Sequence, residues 1–163
     1  YGRIMLTSSA SGIYGNFGQS NYGAAKAAMV GFMNVLHHEG AKNNIRVNTL
    51  APTAATRMLE GLIPPQVADL MAPELVTPGV LYLVSEDAPS KTILGAGAGC
   101  FSVVHIYETP AVFVGGANAT VDDVAANWAK ISNPANEQPI DAAFAQTNKF
   151  VAAAAEALGV KLG

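Results

Sequence analysis

Thr7–Lys26 reads TSSASGIYGNFGQSNYGAAK. The apolar run Ile4-Met5-Leu6 leads into it and ends in three hydroxyl residues, Thr7, Ser8 and Ser9. Tyr22 follows Ser9 by 13 residues, and Lys26 follows Tyr22 by four. Tyr22-Gly23-Ala24-Ala25-Lys26 opens a long helical pattern. Positions i and i+4 share one face of a helix, so phenol and ammonium stand one turn apart. A free phenol, with a pKa of about 10, is a poor base at neutral pH. A cation close by favours the phenolate. Such a pair suits proton transfer to or from an alcohol, and Ser9 could hold the substrate oxygen beside it. Tyr-x-x-x-Lys alone is a weak signal that an ordinary surface helix also carries. Its weight comes from the setting: a strand end supplying the serine, the gap, and a helix that starts at the tyrosine.

Working outward, Arg3–Thr7 reads as a short buried strand and Ala10–Asn21 as a loop. Gly12, Gly15 and Gly18 do not form G-x-G-x-x-G, so they read as loop flexibility rather than a phosphate cradle. Ser20 or Asn21 can cap the helix, which runs from about Tyr22 to Ala41. Its small residues Ala24, Ala27, Ala28 and Gly31 admit close packing, either on its own sheet or against a second subunit. His37 and His38 fall near the helix end, where a cationic imidazole suits the dipole. They have no carboxylate or thiol at metal-ligand spacing, and no metal site is expected.

Ile45–Leu50 is strand-like, and Ala51–Arg57 is a loop of small residues that would let backbone groups approach a ligand. Met58–Pro73 reads as a mobile helical flap over a substrate cleft, or as a surface loop with a short helix. Pro78 suits the first turn of a helix through about Ser85. Thr92–Ala96 is a further strand candidate. The Gly95–Gly99 run lacks the helix and Lys-Ser/Thr of a phosphate-binding loop. Phe101–Tyr107 and Ala111–Val114 flank Glu108-Thr109-Pro110, which suggests a hairpin. Thr120–Asp123 resembles a capping box for a helix through Ile131, on which Trp128 is expected to be a packing anchor. Ile140–Leu158 is an Ala-rich helix ended by Gly159.

Alternating strands and helices over residues 1–100 predict an α/β fold with parallel strands. Residues 101–163 form a smaller hairpin and helical extension. Ligands of such sheets sit at strand carboxyl ends, which puts the Ser9 loop and the Pro52 loop on one rim. The 163 residues carry a net charge of −3 with both signs mixed. No basic patch suggests nucleic acid. No apolar run reaches the roughly 20 residues of a membrane helix, and no secretory signal is visible. Cys100, the one cysteine, is expected to be a small buried hydrophobe. A chain that opens at Tyr1, nearly at once with a strand, reads as a piece of a longer protein.

The order Ser9, Tyr22-x-x-x-Lys26, Arg46-Val47-Asn48-Thr49-Leu50-Ala51-Pro52 and Thr56 resembles the second half of a short-chain dehydrogenase/reductase. YGRIMLTSSASGIYGNFGQSNYGAAK, Ala51–Met58, Gly97-Ala98-Gly99 and Ala126-Asn127-Trp128-x-Lys130-Ile131 are similar to the (3R)-hydroxyacyl-CoA dehydrogenase units of peroxisomal multifunctional enzymes of type 2 and bacterial relatives. The resemblance implies the carboxy-terminal half of a Rossmann-type, doubly wound parallel sheet with a small α+β extension. It implies hydride transfer between NAD (NADP not excluded) and a 3-hydroxyacyl thioester. Tyr22 would be the general base. Lys26 would favour its phenolate and bind the nicotinamide ribose, and Ser9 would hydrogen-bond the reacting oxygen. Backbone groups of Ala54, Ala55 and Thr56 would meet the nicotinamide side. A homodimer through the Tyr22–Ala41 helix is implied, in the cytoplasm or, in a eukaryote, the peroxisome. Pro52-Thr53 stands where the family commonly has Pro-Gly. The family's Gly-rich turn, the acidic residue selecting NAD and a catalytic Asn belong to its other half. Two alternatives are a truncated, non-catalytic dimerising subunit and a dehydrogenase for a different alcohol or ketone.

Overall fold

The computed structural model describes residues 1–56 and 63–162. It divides into two compact units, Tyr1–Val104 and His105–Gly163. The first unit is built on a four-stranded sheet in the order β1 (Gly2–Thr7), β2 (Ile45–Thr53), β3 (Ile93–Gly97) and β4 (Cys100–Val104). β1, β2 and β3 run parallel, with Thr7 opposite Leu50 and Leu50 opposite Leu94, so their carboxyl ends share one edge. β4 returns antiparallel to β3.

β2 explains why helices lie on both faces. Its residues Val47 to Ala51 are all buried, as expected of a central strand in a parallel sheet. Val47 and Ile93 pack with Met33 of α2 (Ser20–Gly40) on one face. Leu50, Leu94 and Ala96 pack with Leu83 of α4 (Thr77–Leu83) on the other. α1 (Ala10–Ile13) and α3 (Pro65–Leu70) are single short turns. This is the expected α/β architecture.

Close approaches set where the helices sit. Gly40 ends α2 with no room for a side chain, since a Cβ there would fall 2.9 Å from the Cβ of Ile45. Asn44 then takes the left-handed conformation at φ 53° and turns the chain into β2. At the amino end of the sheet, Arg3 donates to the carbonyls of Ser85 (2.9 Å) and Glu86 (3.1 Å), and Arg46 donates to that of Ala88. Buried Asn48 donates to Pro89 O at 2.7 Å and accepts from Thr92 N at 3.1 Å. The segment before β3 is therefore pinned at the edge opposite the strand carboxyl ends.

The second unit contains the two-stranded pair β5 (Tyr107–Glu108) and β6 (Gln138–Pro139), with α5 (Val121–Ile131) and α6 (Ala143–Leu158). Thr120 caps α5 reciprocally with Asp123, as the sequence suggests: Asp123 N donates to Thr120 Oγ1 at 3.3 Å, and Thr120 N donates to Asp123 Oδ2 at 2.8 Å. The Thr120 hydroxyl, which donates to Asp123 Oδ2 at 2.6 Å, and then the Thr120 amide hold the Asp123 carboxyl below its ordinary pKa. Gly159 ends α6 at φ 65°, the left-handed position that favours glycine.

Several expectations are corrected. The hairpin does not turn at Glu108–Pro110. It turns at Ala98-Gly99, between β3 and β4, where both residues have positive φ (51° and 70°), as a type I′ hairpin turn requires. β2 runs through Thr53, because the small residues Ala51 and Pro52 still pair with Gly95 and Ala96. Cys100 is exposed, since it opens β4 directly after that turn. Trp128 is 60% exposed, because the α5 face that carries it is left open. The expected flap over Met58–Pro73 lies partly outside the described residues; within them, Pro65–Leu70 is helical. Among the described residues no helix is long and apolar enough to cross a membrane.

Candidate active site

Ser9, Tyr22 and Lys26 lie where β1 ends and α2 begins. Ser8 continues the ladder, its amide donating to Leu50 O at 2.7 Å. Ser9 is extended (φ −162°, ψ 155°) and caps α1, its Oγ accepting from Ser11 N at 3.2 Å. As a cap the oxygen acts as acceptor, so the hydroxyl proton remains available to a substrate oxygen.

α1 is not the flexible loop the glycines suggest. A Cβ on Gly12 would lie 2.7 Å from the amide nitrogen of Ala27 and from the carbonyl carbon of Lys26. Gly12 is therefore a contact of one backbone on another. A Cβ on Gly23 would likewise meet Ser11 O at 3.1 Å. Ser11 Oγ donates to Gln19 Oε1 at 2.7 Å. The turn that Ser9 caps and the first turns of α2 are thus locked together. α2 starts at Ser20, two residues before the expected position, with Gln19 as its cap and no side-chain capping bond.

This packing puts Tyr22 in the first turn of α2 and Lys26 one turn later. The Lys26 ammonium lies 5.8 Å from the centroid of the Tyr22 ring and donates to the Thr7 carbonyl at 3.0 Å. Tyr22 is 41% exposed, which leaves its phenol open to solvent or ligand. A lysine ammonium has three donors. Thr7 takes one, and the others can reach vicinal hydroxyls such as those of a ribose. The donor set thus fits the polar sugar of a nicotinamide nucleotide.

Ala54, Ala55 and Thr56 follow the carboxyl end of β2, at the same edge as Ser9. Ala54 packs against the Leu50–Leu83 cluster, on the face opposite α2. The Ala55 amide donates to Met71 O at 2.7 Å, so that N–H is already engaged and Ala55 could offer a ligand only its carbonyl or methyl. A cavity of about 440 Å³ has a wall that includes Ile13, Tyr14, Thr53, Met71, Cys100 and Ser102, but not Ala54, Ala55 or Thr56. Ala10, next to Ser9, is in this wall; Ser9, Tyr22 and Lys26 are not. The lining is mainly apolar, and the volume falls in the range of roughly 300–1,000 Å³ typical of small-molecule sites.

Sequence reasoning gave no role to Ser8 or Gly23 and read Gly12 as loop flexibility. For Ser8 a signal was available. Adjacent residues of an extended chain point to opposite sides, so only one of Ser8 and Ser9 could face a ligand, and Ser8 is the buried one (2% exposed).

Residues 1–65 match the family model described as short chain dehydrogenase. The chain is 45% identical over 138 residues to a short-chain type dehydrogenase/reductase of Mycobacterium tuberculosis, covering 82% of this chain and 46% of that protein. It is 44% identical over 139 residues to peroxisomal multifunctional enzyme type 2 of Mus musculus, covering 83% of this chain and 19% of the relative. An acetoacetyl-CoA reductase of Acinetobacter is 45% identical over 95 residues, 52% of this chain and 38% of the relative. Among solved structures, full-length peroxisomal multifunctional enzyme type 2 from Drosophila melanogaster superposes with a TM-score of 0.83 at 31% identity, over 97% of this chain and 29% of that one. The chain spans less than half the length of each of these relatives. With the matching β1–α2–β2 segment, the whole-chain structural similarity and the parallel sheet, the chain belongs to the short-chain dehydrogenase family.

Proposed function

We propose that this chain supplies the acid–base centre and the substrate side of a 3-hydroxyacyl-CoA dehydrogenase that uses NAD. One observation carries the reading: Lys26 reaches both the Tyr22 ring and the Thr7 carbonyl, beside the turn capped by Ser9. Tyr22 takes the hydroxyl proton of the substrate alcohol, and the O–H electron pair becomes the second bond of the new carbonyl. The nicotinamide, when bound, accepts the hydride that leaves the carbinol carbon. Lys26 stands as a cation beside the Tyr22 ring and holds ribose hydroxyls with its remaining donors. Ser9 donates its hydroxyl proton to the reacting oxygen and fixes the carbon's orientation. Ala54, Ala55 and Thr56 border the nicotinamide side.

The thioester substrate is supported by the resemblance to the hydroxyacyl-CoA dehydrogenase units, by the acetoacetyl-CoA reductase among the relatives, and by the apolar cavity beside Ser9, which suits an acyl chain. NAD over NADP follows from the resemblance. The reading requires the full-length gene product to contain the Gly-rich dinucleotide turn, which this chain as a half-site lacks. In that full-length protein, Tyr22→Phe should abolish oxidation of a 3-hydroxyacyl-CoA while NAD affinity stays close to the parent's. Substantial residual turnover would remove Tyr22 from its role.

Association through α2 is part of the proposal. Phe32 and Val35 are 51% and 53% exposed on its outer face, where small residues leave room for a second copy. Size exclusion of Phe32→Lys against the parent tests this; an unchanged oligomer would count against α2 as the interface.

A further inference from the structure

Ser8 is 2% exposed, and its Oγ donates to the main-chain carbonyl of Lys26 at 2.8 Å. That carbonyl lies inside α2, where the amide four residues on already serves it. The oxygen therefore does not need Ser8. An alanine in the same place would fill nearly the same volume and leave no polar atom to bury. The bond instead fixes one point of α2 against one point of β1. Ser8 is itself held in the sheet through its amide bond to Leu50 O at 2.7 Å. One residue earlier, the Thr7 carbonyl receives the Lys26 ammonium at 3.0 Å. Thr7, the last residue of β1, and Ser8 after it thus grip Lys26 at both ends, Ser8 by the main chain of Lys26 and Thr7 by its side chain. The close approach of Gly12 to the Lys26 carbonyl carbon closes the third side.

We infer that Ser8 is a positioning residue for the reaction: it sets where along β1 the Tyr22–Lys26 turn sits, and so the reach of both side chains to the oxygen held by Ser9. This rests on the reading of Ser9, Tyr22 and Lys26 proposed above. Without the Ser8 bond, α2 loses the direct hydrogen bond from this segment to its main chain at Lys26, and the remaining contacts hold its position along β1 less tightly, while the cavity that would take the acyl group stays as it is, since Ser8 is not in its wall.

The test is Ser8→Ala in the full-length gene product, assayed with NAD and a 3-hydroxyacyl-CoA, with Tyr22→Phe in parallel. Misplacement of the reacting groups should lower kcat by roughly 10- to 100-fold, and KM for the acyl substrate should stay within about twofold. Deuterium at carbon 3 of the substrate should give a larger primary isotope effect on kcat than in the parent, because the chemical step has become slower. Ser8→Cys, whose thiol is a weak donor, should fall between the two and serves if Ser8→Ala folds poorly. A lower melting temperature with kcat per folded enzyme and isotope effect unchanged would overturn the proposal, because Ser8 would then act on stability alone. If Tyr22→Phe is inactive and Ser8→Ala matches the parent, only the Ser8 proposal falls. If Tyr22→Phe still turns over, the reading of the site falls and Ser8 with it.

Discussion

The Lys26 ammonium donates to the carbonyl of Thr7 at 3.0 Å, joining the second turn of α2 to the last residue of β1. This bond keeps a flexible four-carbon side chain beside the Tyr22 ring rather than in solvent. Lys26→Met should keep the fold, since the bond is exposed and its loss leaves the Thr7 carbonyl to water. Turnover should fall by at least about 100-fold, the usual scale for a member of an acid–base pair. Lys26→Arg should not restore it, because a planar guanidinium cannot take the place of a compact ammonium in this geometry. Steady-state rates and melting curves of both variants check the prediction. An arginine variant near parental rates would show that charge alone is required.

Much of this site was legible because its chemistry is encoded locally. Tyr22 and Lys26 are one helical turn apart in the sequence, and hydroxyl residues at the end of an apolar run mark a strand's carboxyl end. What could not be read was set by approaches between distant backbones. Gly12 looks like a flexible loop residue until α2 is placed 2.7 Å from its would-be Cβ. A four-residue helix such as α1 is too short to show periodicity. The β3–β4 turn was missed because Ala98 adopts a positive φ of 51° that its residue type does not advertise, whereas Glu108-Thr109-Pro110 carries turn chemistry without making a hairpin. Cys100 and Trp128 were misjudged for one reason: burial depends on which faces the fold covers, and hydrophobicity alone does not state that.

Asn48 offers a test of the frame that holds the site. It is fully buried, donates to Pro89 O and accepts from Thr92 N. It thereby ties the middle of β2 to the segment entering β3. Asn48→Ala would leave both main-chain groups without their partner, at a cost of roughly 2–4 kcal/mol. Asn48→Asp should cost more, because a carboxylate cannot donate to Pro89 O and carries a charge into the core. Thermal unfolding should rank the parent above Asn48→Ala and that above Asn48→Asp. An aspartate variant as stable as the parent would mean that the bond to Pro89 contributes nothing.

The second unit should show its own acid sensitivity, carried by Glu108. Lys149 donates to its carboxylate at 2.6 Å and Gln146 at 2.5 Å, joining β5 to α6. The Lys149 hydrogen bond first, and the Gln146 bond second, hold the Glu108 carboxyl below its ordinary value of 4.5. A carboxyl lowered by folding contributes stability in full above its unfolded pKa and loses it as the pH falls through the folded one. The parent should therefore lose part of the second unit's stability on acidification below about pH 4.5. Glu108→Gln removes the titrating group, so it should be less stable than the parent at neutral pH. The difference should narrow as the pH drops and the parent's own carboxyl becomes neutral. Asp123 acts in the same direction through its bonds with Thr120, so acidification should still weaken the Glu108→Gln variant to some extent. Hydrogen exchange at the amides of α6, followed from pH 7 to pH 3 in parent and variant, measures this directly. Equal loss of protection in both over the whole range would show that the pair of Glu108 and Lys149 does not hold α6 against β5.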